Sequence, residues 1–368
     1  MAGLGFQAGL AIVGSYAAAR MRGILAPQPT ETFEDWVVDR FGRRLYEQFF
    51  EAYTEKVWGI PCRQIGADWA AQRIRGLSLP AALRNAVRKP RGAPVKTLLD
   101  KFSYPRLGAG QTYEKMAALI SAAGGRILTG STVKQFLHDG RRVRAVVAED
   151  ASGNRIELEG DRFLTSATLT ETVAMFDPPL SEPVLEAGRS LRYRDHICVN
   201  LLAAGDPFPD NWIYVHDPRV DLARIANYRN FSPEMAGATG LNPLTVEYFS
   251  SPGDALALVD DRQLILKAAT ELERLGLLTP EQIVGGFVVR SPKAYPLIEI
   301  GCEGHVASIR AWLSTLENLL PIGRSGMFKY NNQDHAMATG LLASRTILGL
   351  GAFDPWQVNI DGEYHEAR

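Results

Sequence analysis

The residue run with the clearest chemical potential lies near the carboxyl end, at 323–335, and reads GRSGMFKYNNQDH. It follows the apolar stretch NLLPI and precedes AMATGLLASRTILG, so the pattern predicts a strand, a glycine turn and a helix. A helix N-terminus presents unpaired N–H groups and the positive end of a dipole, which suit a phosphate or an electron-rich ring edge. The same letters also describe an ordinary strand–loop–helix connection with Asn332 or Asp334 as N-cap, so the residues alone leave both interpretations open.

A second glycine pattern stands at the amino end, where Gly3, Gly5 and Ala8 form a G-x-G-x-x-A string. In dinucleotide-binding folds this string follows a β-strand, but only Met1 and Ala2 precede it here. The acidic residue at the expected distance, Glu31, lies in the loop-like stretch PQPTETFEDW. We therefore interpret the opening as an apolar helix, buried or lying on the surface, and not as a nucleotide fingerprint.

Arginine and tyrosine side chains are the candidates for contacting a substrate. Arginine can bind phosphate through two parallel hydrogen bonds, and tyrosine offers a flat face together with a hydroxyl. The alternative is a salt bridge for each arginine and core packing for each tyrosine. The candidates are Arg73, Arg75, Tyr193, Arg194, Tyr248 and Tyr295. The sequence assigns no catalytic residue, because Trp58, His196 and His335 are each more typical of structural positions.

The composition excludes several classes of function. The chain of 368 residues has 40 Lys and Arg residues and 41 acidic residues. Its net charge is therefore close to zero and does not favour the binding of nucleic acid. Cys62, Cys198 and Cys302 are far apart, which favours a reducing compartment and predicts a cytoplasmic protein. We find no metal-ligand spacing, no Ser-His-Asp order and no paired-carboxylate signature, so the sequence predicts neither a metal site nor a hydrolase.

The amino-terminal stretch raises the question of membrane contact. Residues 1–19 carry no charged side chain and are followed by Arg20 and Arg22. Its Gly, Ala, Ser and Gln residues make the stretch less hydrophobic than a typical membrane span. A signal peptide has a positive charge before its apolar run, and this stretch has none. The sequence therefore predicts that any membrane contact is at most peripheral.

The remaining elements predict a mixed α/β fold. Residues 31–90 are helical in pattern, and Thr32 with Asp35 forms a capping-box sequence. Three strand-like runs at 126–168, separated by turns at 138–140 and 152–154, predict a β-meander. Strands at 191–250 and a further strand and helices beyond predict a second, antiparallel sheet.

We expect discontinuous domains, divided into four segments. Residues 1–103 form a helical region on the substrate side, and 104–190 contain the meander. Residues 191–300 form an antiparallel-sheet substrate domain, and 301–368 return to the domain of the meander.

Four motifs in order carry a resemblance to a known superfamily. They are Tyr53–Gly59 (YTEKVWG, with Pro61 after it), Leu191–Arg194 (LRYR), Ala294–Pro296 (AYP) and the run at 323–335. Over roughly residues 30 to 365 the chain resembles the superfamily of FAD-dependent amine oxidases, protoporphyrinogen oxidases and UDP-galactopyranose mutases.

The resemblance implies FAD as the cofactor and an incomplete Rossmann-like FAD domain with a β-meander. Members of the superfamily begin with a strand, G-x-G-x-x-G and a helix, which would lie upstream of Met1. The resemblance thus implies a truncated or split flavoprotein whose flavin end is present. The cofactor-binding residues that it implies are Gly108, Gly110, Val133, Gly323, Arg324, Gly326, Asn332, Gln333, Asp334, His335 and Ala336.

Departures from the mutase pattern leave the reaction open. The stretch after Pro61, RQIGADWAAQRIRG, lacks the mutases' R-x-P-V-R ending, and Asp-His rather than Ser-Leu follows Arg194. The favoured hypothesis is an FAD-dependent oxidoreductase acting on a small molecule. The alternatives are a mutase acting on a sugar nucleotide and a noncatalytic or partner-dependent remnant, and a homodimer is left open.

Overall fold

The structure is a computed structural model that describes residues 6–26, 29–67 and 102–359. The chain divides into two compact units that interleave along the sequence. Unit 1 comprises residues 1–114, 194–292 and 364–368, and unit 2 comprises residues 115–193 and 293–363. Residues 68–90 of the segment with the helical pattern lie outside the described residues, as do Arg73 and Arg75. The division into four segments stays a prediction.

Unit 1 begins with helices that pack closely. The apolar opening is helical from Phe6 onward, as the sequence predicted. Thr32 caps the next helix: its Oγ1 accepts a hydrogen bond from Asp35 N at 3.0 Å, and Asp35 Oδ2 accepts one from Thr32 N at 3.2 Å. This confirms the capping box. The helices are α1 (Phe6–Leu25), α2 (Phe33–Phe41), α3 (Arg43–Tyr46) and α4 (Ala52–Trp58), with a π-helix at Glu47–Glu51 before α4.

A five-stranded sheet with the order β10-β6-β9-β8-β7 forms the rest of unit 1. Strand β9 pairs antiparallel with β6 and β8, as the predicted antiparallel sheet requires. Because side chains alternate along a strand, Ile197, Val199 and Leu201 face one core with helix α10. The strands are β6 (Tyr193–Ala203), β7 (Trp212–Tyr214), β8 (Arg224–Asn227), β9 (Asn242–Ser250) and β10 (Ile283–Pro296). The helices nearby are α8 (Tyr228–Phe231), α9 (Ala255–Leu258) and α10 (Asp261–Arg274).

Unit 2 contains the predicted meander. Strands β1 (Ser131–His138), β2 (Val143–Asp150) and β3 (Arg155–Glu159) pair antiparallel, and β5 (Phe176–Asp177) pairs parallel with β1. The turns at 138–140 and 152–154 connect these strands. A core of apolar side chains, including Phe136, Leu169 and Ile309, joins the meander to α6 (Leu169–Ala174), α7 (Glu182–Ser190) and α11 (Cys302–Leu313). Two further helices are α5 (Gly110–Ala122, which begins in unit 1) and α12 (Gln333–Ile347).

A second, small sheet in unit 2 carries the candidate site. Strand β4 (Phe163–Thr165) runs parallel to β11 (Leu319–Pro321), with Leu320 opposite Leu164. Parallel and antiparallel sheets thus coexist with helices, and the mixed α/β prediction is confirmed. Among the described residues, no helix is long and apolar enough to cross a bilayer.

Candidate functional site

The loop from Ile322 to Asn332, here called the crossover, connects β11 to α12. It lies directly on the ends of the two parallel strands, where Ile322 N donates to Thr165 O at 2.9 Å. A β-carbon on Gly326 would lie 2.6 Å from Ile322 O and 2.8 Å from Thr165 O. Since real β-carbons do not approach carbonyls this closely, only glycine allows the crossover to pack on the strand ends.

Gly323 turns the chain out of β11. Its φ of +80° is one that side chains rarely adopt, and its N–H donates to Thr339 Oγ1 at 2.8 Å. Its carbonyl accepts a hydrogen bond from Asn331 Nδ2 at 3.1 Å. The first contact attaches the start of the crossover to α12, and the second joins the two ends of the crossover to each other, with Arg324 between them.

The Arg324 guanidinium is the least satisfied group of the crossover. Its central carbon lies 4.1 Å from the ring centre of Tyr295 and 4.4 Å from that of Tyr330. Nη1 donates to Asn331 O at 3.0 Å. Nε and Nη2 are buried and have no hydrogen-bond partner among the residues that the structure describes. Two aromatic rings therefore hold the Arg324 guanidinium in place, and two of its nitrogen donors have no acceptor among the described residues.

The start of α12 forms the next part of the site. Asn332 is the N-cap, and its N–H donates to Nδ1 of the buried His335 at 3.2 Å. Gln333 and Asp334 are exposed in the first turn, and Ala336 is half-buried. Asn332 is thus the N-cap, as the interpretation of an ordinary strand–loop–helix connection predicted. The side chains of Gln333 and Asp334 in the first turn of α12 are nevertheless exposed.

A carboxyl-terminal segment at 354–359 supports the crossover from another side. Lys329 Nζ donates to Trp356 O at 2.6 Å and to Val358 O at 2.7 Å. Asn359 Nδ2 donates to Asn331 Oδ1 at 3.1 Å. Burial lowers the pKa of Lys329 to about 8. The segment therefore braces the residues that hold Arg324.

Two predicted substrate tyrosines belong to this region. Tyr295 contacts the Arg324 guanidinium as described. Tyr193 is buried, its hydroxyl accepts from Leu169 N at 3.1 Å and donates to Ser325 O at 3.3 Å, and burial raises its pKa. Tyr193, which belongs to unit 2, is thus hydrogen-bonded to the crossover at Ser325, whereas Tyr295 contacts the charged group itself.

The predicted substrate arginine Arg194 is engaged by protein groups in unit 1. It is buried, and its Nε donates to Val57 O at 3.1 Å. Nη1 donates to Ser251 Oγ at 2.6 Å and forms an ion pair with Asp254 Oδ2 at 3.1 Å. Burial lowers its pKa although Asp254 opposes that shift. In this arrangement the side chain holds the end of the YTEKVWG helix.

Tyr248 is a core residue of unit 1. It is fully buried on β9, and its hydroxyl donates to Glu271 Oε2 at 3.1 Å. Burial raises its pKa, and the neighbouring Glu271 adds to the shift. Tyr248 therefore packs in the core, which was the alternative to a substrate contact.

The other predicted flavin residues are spread over both units. Gly108, with φ +97°, lies in unit 1, where a β-carbon would meet Met235 Cε at 3.2 Å. Gly110 begins α5, and a β-carbon there would meet no atom within 4 Å. Val133 in unit 2 is more than one-third exposed on β1 opposite Ala148.

The prediction from sequence missed a charged cluster on β6, β8 and β9. Glu247 forms an ion pair with Arg224 and a hydrogen-bond contact with His196, whose Nε2 lies 3.0 Å from Glu247 Oε2. Burial acts to raise the pKa of Glu247, but the His196 hydrogen bond and the Arg224 charge lower it overall. Arg224 also lies 5.3 Å from the ring centre of Trp212. The signal was present: each of the strand-like runs ARIAN and LTVEYFS contains one charged residue.

Comparison with known proteins identifies the fold. No family model matches the chain. The crystal structure of a reduced UDP-galactopyranose mutase superposes with a TM-score of 0.81 at 19% identity, over 98% of this chain and 75% of that one. The chain has a flavoprotein fold.

The same flavoprotein fold occurs in two further solved structures. A protoporphyrinogen oxidase-like protein from Exiguobacterium sp. 255-15 matches with a TM-score of 0.60 at 13% identity, over 88% of this chain and 68% of that one. A putrescine oxidase bound to putrescine matches with a TM-score of 0.53 at 16% identity, over 93% and 75%. A mutase, a protoporphyrinogen oxidase-like protein and an amine oxidase are the three kinds of protein that the motifs resemble.

Proposed function

We propose that this chain carries the flavin-contacting part of an FAD-dependent oxidoreductase, in which the crossover holds the ring system. The observation that carries the proposal is Arg324, whose buried Nε and Nη2 lack partners among the described residues. A buried donor without an acceptor costs about 1–3 kcal/mol, so such a pair is retained where a ligand supplies the acceptor. The ring nitrogens and carbonyls of a flavin are acceptors of this kind.

The residues of the crossover fit a flavin in three respects. The Arg324 guanidinium offers two donors and a positive charge toward an electron-rich ring edge. Gly323, at φ +80°, adds no side chain to the bend beside Arg324, and Gly326 lets the crossover pack on the strand ends that support it. Gln333 and Asp334 contribute the N–H groups at the N-terminus of α12, while those of His335 and Ala336 are bonded to Asn332. We also assign Gly108, Gly110 and Val133 to the cofactor by resemblance.

The reaction assigned to the site is hydride removal from a small organic substrate. When bound, FAD accepts the hydride. The chain's own part is to orient the substrate, to exclude water and to stabilise negative charge with Arg324. Tyr295, which contacts Arg324, is the substrate-side residue that we favour, with Tyr193 supporting the crossover. Three free thiols in the described residues accord with a cytoplasmic enzyme.

A sugar-nucleotide mutase is the second candidate, and the charged cluster favours it. Arg224 lies beside Trp212, whose ring stacks on Tyr214 with centres 5.6 Å apart. A cation beside exposed aromatic rings suits a phosphorylated ligand with a flat base. However, Glu247 already neutralises Arg224, so a diphosphate would have to compete with that carboxylate. A noncatalytic or partner-dependent role is the third candidate.

Flavin titration tests the primary proposal. FAD and lumiflavin, which is the ring system alone, are titrated with the wild-type chain. We expect binding of either one to quench the flavin fluorescence or to shift the flavin absorbance bands. Arg324→Ala should weaken both affinities by about 10- to 100-fold, because it removes charge-assisted hydrogen bonds. Arg345→Ala, an exposed arginine on α12, is the matched control and should leave them unchanged. Equal affinities for the wild type and Arg324→Ala would remove Arg324 from the site, and no flavin binding at all would favour the third candidate.

Thermal shifts distinguish the first two candidates. If the chain is a mutase, UDP should raise its melting temperature, because a ligand that binds only the folded state stabilises that state. An oxidoreductase should respond to flavin and not to UDP. Loss of a UDP shift in Arg224→Ala would support the mutase alternative.

A further inference from the structure

Helix α1 is attached to unit 1 through a narrow face. Ile12 and Ala19 are buried, and Ser15 and Tyr16 between them are partly covered. A β-carbon on Gly42 would lie 2.7 Å from Tyr16 N, so the next helical segment approaches the α1 backbone directly. These four α1 residues have the i, i+3, i+4, i+7 spacing of a single helix face.

The opposite face of α1 is apolar and exposed. Leu10 is 58% exposed, Met21 61%, Ile24 78% and Leu25 77%. A helix turns about 100° per residue, so the outward apolar side chains span roughly 100° to 220° when Ile12 is taken as zero. Such a continuous apolar arc on one helix is unusual for a surface that meets only water.

The charges on α1 are cationic and lie at the borders of this arc. The helix contains no acidic residue, and its two arginines are Arg20 and Arg22. At the same angular step they lie at about 80° and 280°, one on each side of the apolar arc. Both arginines are exposed, and neither forms an ion pair with any residue in the described part of the chain.

A cavity of about 440 Å³ with a mixed polar and apolar lining opens beside this end of the helix. Arg20, Arg22 and Arg40 line it together with one acid, Asp39, and the Arg40 guanidinium lies 4.3 Å from the ring centre of Trp36. The cavity therefore has a cationic excess next to exposed Ile24, an arrangement in which an anionic headgroup and its acyl chains could both be contacted.

We propose that the outer face of α1 rests on an anionic lipid bilayer surface. The apolar arc would enter the boundary between headgroups and acyl chains, and Arg20 and Arg22 would reach the phosphates on either side. The helix lies on the bilayer and does not cross it, in line with the absence of a spanning helix among the described residues. A second copy docked through the same face would juxtapose four arginines with no α1 acid to neutralise them, which disfavours a dimer there.

Vesicle sedimentation tests this proposal on the full chain. The probes are vesicles of phosphatidylcholine alone and of phosphatidylcholine with about 30% phosphatidylserine. We expect the wild type to sediment with the anionic vesicles and, at higher salt or with neutral vesicles, to bind at least about fivefold more weakly.

Two variants locate the contact. The double substitution I24E/L25E should reduce the partition coefficient at least about tenfold, because it places charges in the apolar arc. The double substitution R20Q/R22Q should reduce binding to anionic vesicles and have little effect on neutral ones. Leu258→Glu, which alters a residue 81% exposed elsewhere in unit 1, should change nothing. Equal melting temperatures would show that the variants remain folded.

Three outcomes would overturn the proposal. One is that the wild type fails to bind anionic vesicles. Another is that I24E/L25E binds them as tightly as the wild type does. The third is a wild-type dimer in sedimentation velocity that I24E/L25E converts to monomers, since a second copy of the chain would then cover the α1 face.

Discussion

Gly59 and Arg194 fit together so closely that a β-carbon on Gly59 would lie 2.5 Å from the Arg194 guanidinium carbon. Gly59 ends α4 in the left-handed region, with φ +68°. Arg194 at the start of β6 passes beside it to reach Val57 O and Lys56 O. Two motifs separated by more than a hundred residues are therefore one structural unit, in which a glycine makes room for an arginine.

Gly59→Ala should lower the free energy of unfolding by about 2–4 kcal/mol. About 1–2 kcal/mol comes from a left-handed residue that gains a side chain, and the rest from displaced Arg194 hydrogen bonds. Urea denaturation measures the loss. Gly276→Ala is the matched control, because Gly276 also ends a helix, at φ +69°, but has no atom within 4 Å of its β-carbon position. Equal losses in the two variants would contradict the tight fit at Gly59.

Tyr248→Phe should cost about 1–2 kcal/mol of stability and leave flavin and substrate affinity unchanged. The variant leaves Glu271 without its tyrosine hydroxyl partner in the core. Urea denaturation and flavin titration are the two measurements. Tyr214→Phe, on the same sheet but more than half exposed, should have a smaller effect on stability. A change in substrate affinity with unchanged stability would instead assign Tyr248 to the binding site.

Lys329 makes the stability of the chain depend on alkaline pH. Burial lowers its pKa from 10.5 to about 8 in the folded state, so between these values the unfolded chain holds a proton that the folded chain has lost. Stability therefore rises with pH in this window, by at most about 1.4 kcal/mol per pH unit. The contribution is absent below the folded pKa and complete above the unfolded one.

Lys329→Met should remove this rise. Urea denaturation at about pH 8, 9 and 10 measures the unfolding free energies of the wild type and of the variant. The wild-type value minus the variant value should increase as the pH rises. Any loss of the contacts to Trp356 and Val358 adds a pH-independent offset. A difference that stays constant across the window would mean that Lys329 is charged throughout it.

Glu247→Gln should destabilise unit 1 by about 3 kcal/mol, because it leaves the buried Arg224 without its counter-charge. In the wild type the lowered pKa of Glu247 makes its contribution present above the ordinary carboxyl pKa and lost as pH falls through the folded value. Comparing acid unfolding of the two proteins measures this. Glu149→Gln on β2, which breaks two more exposed ion pairs, with Lys134 and Arg155, should cost less than about 1 kcal/mol. Similar losses would contradict the role of burial.

Local patterns determined much of this protein in advance. The capping box at Thr32, the turns of the meander and the strand–turn–helix at 323–335 all follow from short-range rules of propensity and turn chemistry, and the structure has them. The order of four motifs was sufficient to predict the flavoprotein fold, because motif order reflects the topology of the chain.

Only the tertiary structure decided which candidate side chains are available to a ligand. Arg194 and Arg324 are both arginines in matched motifs, but carbonyls and Asp254 engage the first, while two donors of the second lack partners in the described residues. The cluster around Glu247 likewise assembles residues from three strands. Propensity depends on neighbours in sequence, whereas burial and hydrogen-bond satisfaction depend on neighbours in space, which no single-sequence pattern encodes.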